Sequence, residues 1–162
     1  LHREISQFTR LKGISFLENG QLHLSCADFG EVYTGGSGWK DYIARFLITP
    51  LSGEYHLVNI RVQGAIRSYA AGFLPGRRVG ILKNQNGYTV LKEIDFPWKA
   101  GKEYEITVKA EGKRICADIG GQIQICVEDD EKPYLTGCIG LSVQRGSHLA
   151  CREIEVSPVS DR

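Results

Sequence analysis

At 162 residues the chain has the length of one domain, long enough to bury about 70% of its unfolded surface without help from metals or disulfides. Twenty basic side chains against nineteen acidic ones give a formal charge of +1. That balance carries no electrostatic footprint for nucleic acid or an acidic membrane as partner. No apolar run approaches the roughly 20 residues of a membrane span. The chain opens on Leu1 without a signal-peptide pattern and contains no Met, so it is expected to be a processed chain or a domain of something longer.

Residues 1–12 are polar and weakly patterned and are expected to be a linker or tail. Ile14–Leu17 and Gln21–Ser25 flank Asn19-Gly20, a strong signal for a two-residue hairpin turn. Phe29–Gly38 holds four glycines and is expected to be a loop. Trp39–Ile48 then alternates, with Tyr42, Ala44, Phe46 and Ile48 on one side and Ile43 and Leu47 on the other, a strand covered on both faces. A turn is expected at Pro50–Gly53.

Tyr55–Lys83 is the part of the chain richest in side chains that can recognise a ligand. Val58, Ile60 and Val62 share one face of the first run, and Tyr55, Asn59, Arg61 and Gln63 share the other. Gly64–Ile66 turns the chain into Arg67–Leu74, where Arg67, Tyr69, Ala71 and Phe73 share a face. Pro75-Gly76 leads into Arg77–Lys83. The clearest alternation follows: Tyr104, Ile106, Val108 and Ala110, then Ile115, Ala117 and Ile119, then Ile123, Ile125 and Val127, a meander with one buried face. Gly137–Val143 and Leu149–Val156 are further strands. No run of ten residues has helical periodicity. Many short strands without helix predict an all-β chain: a two-sheet antiparallel β-sandwich over residues 13–157, with a tail at 158–162.

The five cysteines never fall as Cys-x-x-Cys, which leaves zinc and thioredoxin-type readings without support. Four lie in strand-like runs, where Cys behaves as a small apolar residue. Free buried thiols suit a reducing, cytoplasmic location; a Cys116–Cys126 cross-strand bridge is the open alternative.

Several landmarks, taken in order, resemble a known family. They are Asn19-Gly20-Gln21-Leu22, Trp39-Lys40-Asp41-Tyr42, Arg61-Val62-Gln63-Gly64 with Arg67-Ser68-Tyr69-Ala70, and Trp98 through Tyr104. Val108 through Lys113 and Tyr134 through Leu141 complete the set. The pattern is similar to the concanavalin A-like lectin/glucanase jelly roll, nearer to its laminin-G-like and 3-keto-disaccharide hydrolase-like branches. Domains of this kind also sit on the C-terminal side of ADP-ribosylglycohydrolase-family enzymes. The resemblance spans about residues 13–157 and implies a sandwich with a concave sheet, on which relatives commonly bind sugars. Fold alone does not assign activity.

A retaining glycosidase of this architecture needs two carboxylates about 5–5.5 Å apart. The glucanase signature is absent; Glu153 with Glu155, and Glu128 through Glu131, are the nearest text, and both are read first as solvated charge. The histidines (His2, His23, His56, His148) show no ligand spacing, and no nucleophile motif or phosphate loop occurs. Asp129, Asp130 and Glu131 offer hard oxygen ligands for a structural Ca2+ or are simply a solvated turn. Sugar binding needs aromatic faces, with amides and guanidinium groups to read hydroxyls. Asn59, Arg61, Gln63, Arg67, Tyr69 and Trp39 are the candidate ligand-binding residues, weighed against an ordinary sheet face. The expected function is a non-catalytic carbohydrate- or glycoconjugate-binding module of a larger hydrolase, its partners a sugar or ADP-ribose-like ligand and the catalytic domain of the parent chain. The alternatives are a stand-alone glycoside hydrolase, or a structural domain that packs on a partner through Ile43 and Leu47.

Overall fold

The structure, a computed structural model, describes residues 9–159. They form fourteen strands, numbered in chain order, in two seven-stranded sheets, with no helix among the described residues. Sheet A runs, in spatial order, β1 (Thr9–Lys12), β4 (Phe29–Thr34), β13 (Cys138–Gln144), β6 (Tyr55–Val62), β7 (Arg67–Leu74), β8 (Arg78–Gln85) and β9 (Tyr88–Asp95). Sheet B runs β12 (Ile123–Glu128), β11 (Arg114–Ile119), β10 (Tyr104–Glu111), β5 (Tyr42–Ser52), β14 (His148–Pro158), β3 (Gln21–Ser25) and β2 (Ile14–Glu18). Every pairing is antiparallel. The all-β, two-sheet sandwich expected from the turn spacing is the observed fold.

Between the sheets lies one continuous apolar core. Sheet B supplies Ala44, Phe46, Ile48, Ile106, Val108, Ile115, Ala117 and Ile119; sheet A supplies Val58, Ile60, Ala71, Phe73, Val79, Ile81, Leu141 and Val143. The alternating residues of β10 and β11 point inward as their pattern predicts. Trp98 plugs one end of this core, its indole Nε1 donating to the Leu74 carbonyl at 3.2 Å. At the Asn19-Gly20 turn both residues have positive φ (52° and 75°), the geometry a two-residue hairpin requires.

Some boundaries differ from the sequence reading. Thr9–Lys12, expected to be part of a tail, pairs with β4, and β14 extends to Pro158. Of the remaining tail residues, 1–8 and 160–162 lie outside the described ones. Phe29–Thr34, expected to be loop, is β4, paired on both sides. Gly30 sits inside that strand opposite Val143, so its glycine marks close packing rather than a turn. β5 runs through the expected turn at Pro50 to Ser52. Of the two bridging alternatives, the structure forms the disulfide Cys116–Cys126, directly opposite each other on β11 and β12, and leaves Cys26, Cys138 and Cys151 free.

The largest departure from simple alternation is at Arg61. On β13, Gly140 pairs with Asn59 and Cys138 with Val62, so Ile60 and Arg61 together face the single residue Ile139. That is a β-bulge. Arg61 adopts φ 50°, a left-handed conformation that costs a side-chain-bearing residue about 1–2 kcal/mol. The surroundings compensate. Its amide donates to the Tyr42 hydroxyl at 2.7 Å, and that hydroxyl donates to the Gly137 carbonyl at 3.0 Å. Gly137 has to be glycine, because a Cβ there would lie 2.3 Å from the Arg61 carbonyl carbon.

Candidate functional site

The bulge turns the Arg61 side chain away from solvent. Its guanidinium, fully buried, donates to the carbonyls of Lys40 (2.9 Å), Gly112 (2.6 Å) and Tyr134 (2.7 Å) and to the Asp41 carboxylate (3.0 Å). Lys40 and Asp41 precede β5 and Gly112 lies in the β10–β11 turn, so Arg61 staples an end of sheet A to sheet B. Its expected role as a ligand-reading side chain is corrected: the group is buried, and all three of its nitrogens already donate inside the protein, through four of the five N–H bonds.

Tyr69 is corrected in the same way. With Ala71 and Phe73 it faces the core, and its hydroxyl donates to Asp129 Oδ2 at 2.6 Å and accepts from the Tyr134 amide at 3.1 Å. Lys83 closes the network, its Nζ 2.5 Å from Asp129 Oδ2 and donating to the Glu131 carbonyl at 2.6 Å. Burial alone would raise the Asp129 carboxyl, but Lys83, the Tyr69 hydroxyl and the Glu131 amide outweigh it and hold it below its usual value. Asp129, weighed as a Ca2+ ligand, is therefore an internal counter-ion. Asp130 pairs with Lys113, and no cluster of three metal-ligating side chains occurs among the described residues.

Above this network opens a cleft of about 490 Å³ lined by Gln63, Ile66, Arg67, Gln85, Asn86, Lys132, Pro133 and Tyr134. Gln63 and Arg67, two of the expected binding residues, stand on one lip. That lip is tied down by backbone bonds: Gln63 N to Arg67 O at 2.9 Å and Asn86 N to Ile66 O at 2.9 Å. The opposite lip, Lys132 and Pro133, is held by Lys83 through the carbonyls of Glu131 and Lys132. Tyr134 forms the floor, its hydroxyl donating to the Asn84 carbonyl at 2.8 Å. The exposed groups facing solvent here are three side-chain amides, one guanidinium and one ammonium. The Gln63 amide spends one N–H on the Thr136 carbonyl (2.8 Å), which fixes its orientation and leaves the amide oxygen available.

The outward face of sheet A holds a second polar cluster, and it is closed. Asn59 Nδ2 donates to the Tyr88 hydroxyl at 2.9 Å and to Ser68 Oγ at 3.2 Å, and Ser142 Oγ donates to Asn59 Oδ1 at 2.8 Å. Asn59, the third expected residue on this strand, is thus fully buried and its donors and acceptor are partnered. Glu31, opposite Ser142 on β4, is fully buried with neither carboxylate oxygen hydrogen-bonded, and burial pushes its carboxyl up to about 7. Sequence reading missed Glu31, since it lay in a stretch read as loop.

Trp39 lies apart from both. Its ring meets Tyr42 edge-on at 5.8 Å and covers Gly35, where a Cβ would come within 2.6 Å of the indole. It lines a different crevice of about 480 Å³ with Leu22, Ile139, Ile154 and Val156. The six expected residues therefore divide: Gln63 and Arg67 share the open cleft, Arg61 and Tyr69 underlie it, and Asn59 and Trp39 are elsewhere. Lys83 and Tyr134, which anchor the cleft, were not named as site residues from sequence; for Lys83 the charge inside the apolar strand β8 was the available signal, and Tyr134 lies in the loop between β12 and β13.

The other candidates resolve into structure. Glu153 and Glu155 both pair with Arg45, at 3.4 and 3.6 Å, as a surface ion network. Arg78 pairs with Asp95 and Glu93. Leu47 is buried, so it does not form an exposed apolar patch with Ile43. The histidines correct an expectation: β3 pairs with β14, which places His23 Nδ1 2.9 Å from His148 Nε2.

No family model matches the chain, and no curated protein matches it. Solved structures do. A carbohydrate-binding module from Bacillus subtilis (CBM66) superposes with a TM-score of 0.84 at 20% identity, covering 93% of this chain and 95% of that one. A Bacillus subtilis protein of unknown function with a galectin-like fold gives 0.78 at 14% identity, over 99% and 93% of the two chains. The exoplasmic/lumenal domain of VIP36, in its Ca2+/Man3GlcNAc-bound form, gives 0.70 at 12% identity, over 98% and 86%. At such identities the likeness establishes the fold, a galectin-like, lectin-type β-sandwich.

Proposed function

We propose that this domain binds carbohydrate, and that the strand-end cleft between Gln63–Arg67 and Lys132–Tyr134 is where the sugar is held. The observation that carries this reading is the pairing of exposed amide and guanidinium groups with an internally satisfied floor. Gln63, Gln85 and Asn86 each present a donor and an acceptor, the combination that sugar hydroxyls need. Ile66, 48% exposed, and Pro133 offer apolar surface for the C–H faces of a pyranose ring. Because Tyr69, Lys83, Asp129 and Arg61 are bonded to one another or to backbone, the floor does not have to reorganise when a ligand arrives. The reading is supported by the neighbours in fold, one a carbohydrate-binding module and one a lectin-type domain seen with a mannose-containing glycan.

Binding without chemistry fits this site, because no carboxylate lines the cleft to act as acid or nucleophile. The finer reading, an accessory module that raises the effective concentration of substrate for a hydrolase in the same protein, follows from the resemblance. A glycan array followed by calorimetry on the purified domain tests the proposal. Saturable binding that weakens on Gln63→Ala and Gln85→Ala is the expected result; wild-type protein that binds no glycan overturns it. Adding ADP-ribose to the panel tests the ligand implied by the ADP-ribosylglycohydrolase likeness.

A further inference from the structure

We infer that the ligand of this cleft is an acidic saccharide, one whose sugar carries a carboxylate, sulfate or phosphate; the inference rests on the carbohydrate reading above. The charge of the lining is one-sided. Arg67 and Lys132 contribute two cations from opposite lips, and no Asp or Glu lines the cleft. Of the neighbouring acids, Asp129 is engaged by Lys83 and Tyr69 and Asp130 by Lys113, while Glu131, next to Lys132, is exposed and lies outside the cleft lining.

Arg45, Arg61, Arg78 and Arg152 each hold a carboxylate within ion-pair distance. Arg67 has no such carboxylate partner among the described residues, and it is the arginine that lines the cleft. It is exposed, and its backbone is pinned by the bond from Gln63. A pinned, solvent-facing guanidinium is suited to a planar or tetrahedral oxyanion, which it can meet with two parallel N–H bonds. On the far lip Lys132 takes φ 50°, a left-handed backbone that accompanies the turning of carbonyls 131 and 132 toward Lys83. The strained turn leaves the Lys132 side chain on the rim of the cleft. Amides for hydroxyls and two cations for one acidic substituent make a mixed site that a neutral sugar would only half use.

The test compares matched pairs on the intact chain by calorimetry: galacturonate against galactose oligomers, sulfated against unsulfated disaccharides, and ADP-ribose against ribose. The expected result is acidic members binding at least about tenfold tighter, the size of one charge-assisted hydrogen bond, with the ratio falling as salt rises. Arg67→Gln with Lys132→Gln should bring the ratio toward one, and since both residues are exposed the variant should keep the wild-type melting temperature. Equal affinity for acidic and neutral members overturns the inference while leaving the carbohydrate reading intact. Preference for acidic members that survives in the double variant overturns the assignment to these residues. Binding of free sulfate or phosphate but of no sugar overturns the saccharide part together with the reading beneath it. The arm that binds tightest identifies the acid.

Discussion

The two sheets are built from the same number of strands and use them differently. Sheet B follows simple alternation most clearly along β10, where every second residue is buried and the neighbours are polar or charged; beside it Arg45 collects Glu105, Glu153 and Glu155. Sheet A is buried on both faces through β6, β7, β8 and β13. Its polar residues are internal: Arg61 at the bulge, Lys83 with Asp129, Asn59 with its hydroxyl partners, and the unpartnered Glu31. The charges of sheet B paired through Arg45 stand in solvent. On sheet A each polar group is either bonded in place or a liability, because a buried polar atom without a partner costs about 1–3 kcal/mol.

The sharpest way to break this contrast is to compare one arginine from each sheet. Arg61→Ala leaves three carbonyls orphaned at the sandwich end, and should cost about 3–5 kcal/mol in urea unfolding. Arg45→Ala should not shift the midpoint beyond experimental error, since its partners are solvated. Equal effects would mean that the two faces are not the different environments described.

Next in size are two opposing pH dependences. The Glu31 carboxyl is raised by burial from 4.5 to about 7, so folding loses stability as pH rises from about 4.5 to 7. The His56 imidazole, buried beside Trp98, is lowered from 6.5 to about 4, chiefly by burial, so folding loses stability as pH falls from about 6.5 to 4. Each effect amounts to about 3 kcal/mol across its window. In the wild type they largely cancel between pH 4.5 and 6.5. Glu31→Gln should therefore stabilise the protein at pH 8 and unmask a slope that rises with pH, and His56→Gln should unmask the opposite slope. His148, lowered by burial and by His23, adds to the histidine side. A flat profile in both variants would reject the pair.

The disulfide gives a smaller effect. Reducing Cys116–Cys126 on the outward face of sheet B should cost about 2 kcal/mol by freeing a short loop in the unfolded chain. The cytoplasmic location expected from the buried thiols is a proposal with a direct check: alkylation of freshly isolated, unfolded protein should label five cysteines if the bridge is reduced in its native compartment and three if it is formed.

Sheet B was the more legible of the two for a physical reason. A strand with one wet face writes its orientation into the sequence, and Tyr104 to Ala110 could be placed from alternation alone. A strand buried on both faces does not, and a bulge shifts the count by one. That is why Arg61 was read onto the face of Asn59 and Gln63, and Tyr69 onto an open face with Arg67. Gln63 and Arg67 were found because one lies just past the end of β6 and the other opens β7, where polarity does signal exposure. Lys83 and Tyr134 were not found, since a lysine in an apolar strand reads the same whether its partner is water or an aspartate 46 positions away. His23 and His148 meet only through the pairing of β3 with β14, which no local pattern encodes.

The strand order carries a consequence for how the chain folds. β13 lies inside sheet A, between β4 and β6, and β14 lies inside sheet B, between β5 and β3. Neither sheet can be completed until the last two strands arrive, so the earlier hairpins wait with open edges and two outer strands of each sheet undocked. Most contacts join residues far apart in sequence, which places this domain among the slow, high-contact-order folders. During synthesis the nascent chain should stay sensitive to protease until β14 has cleared the ribosome, and then become resistant in one step.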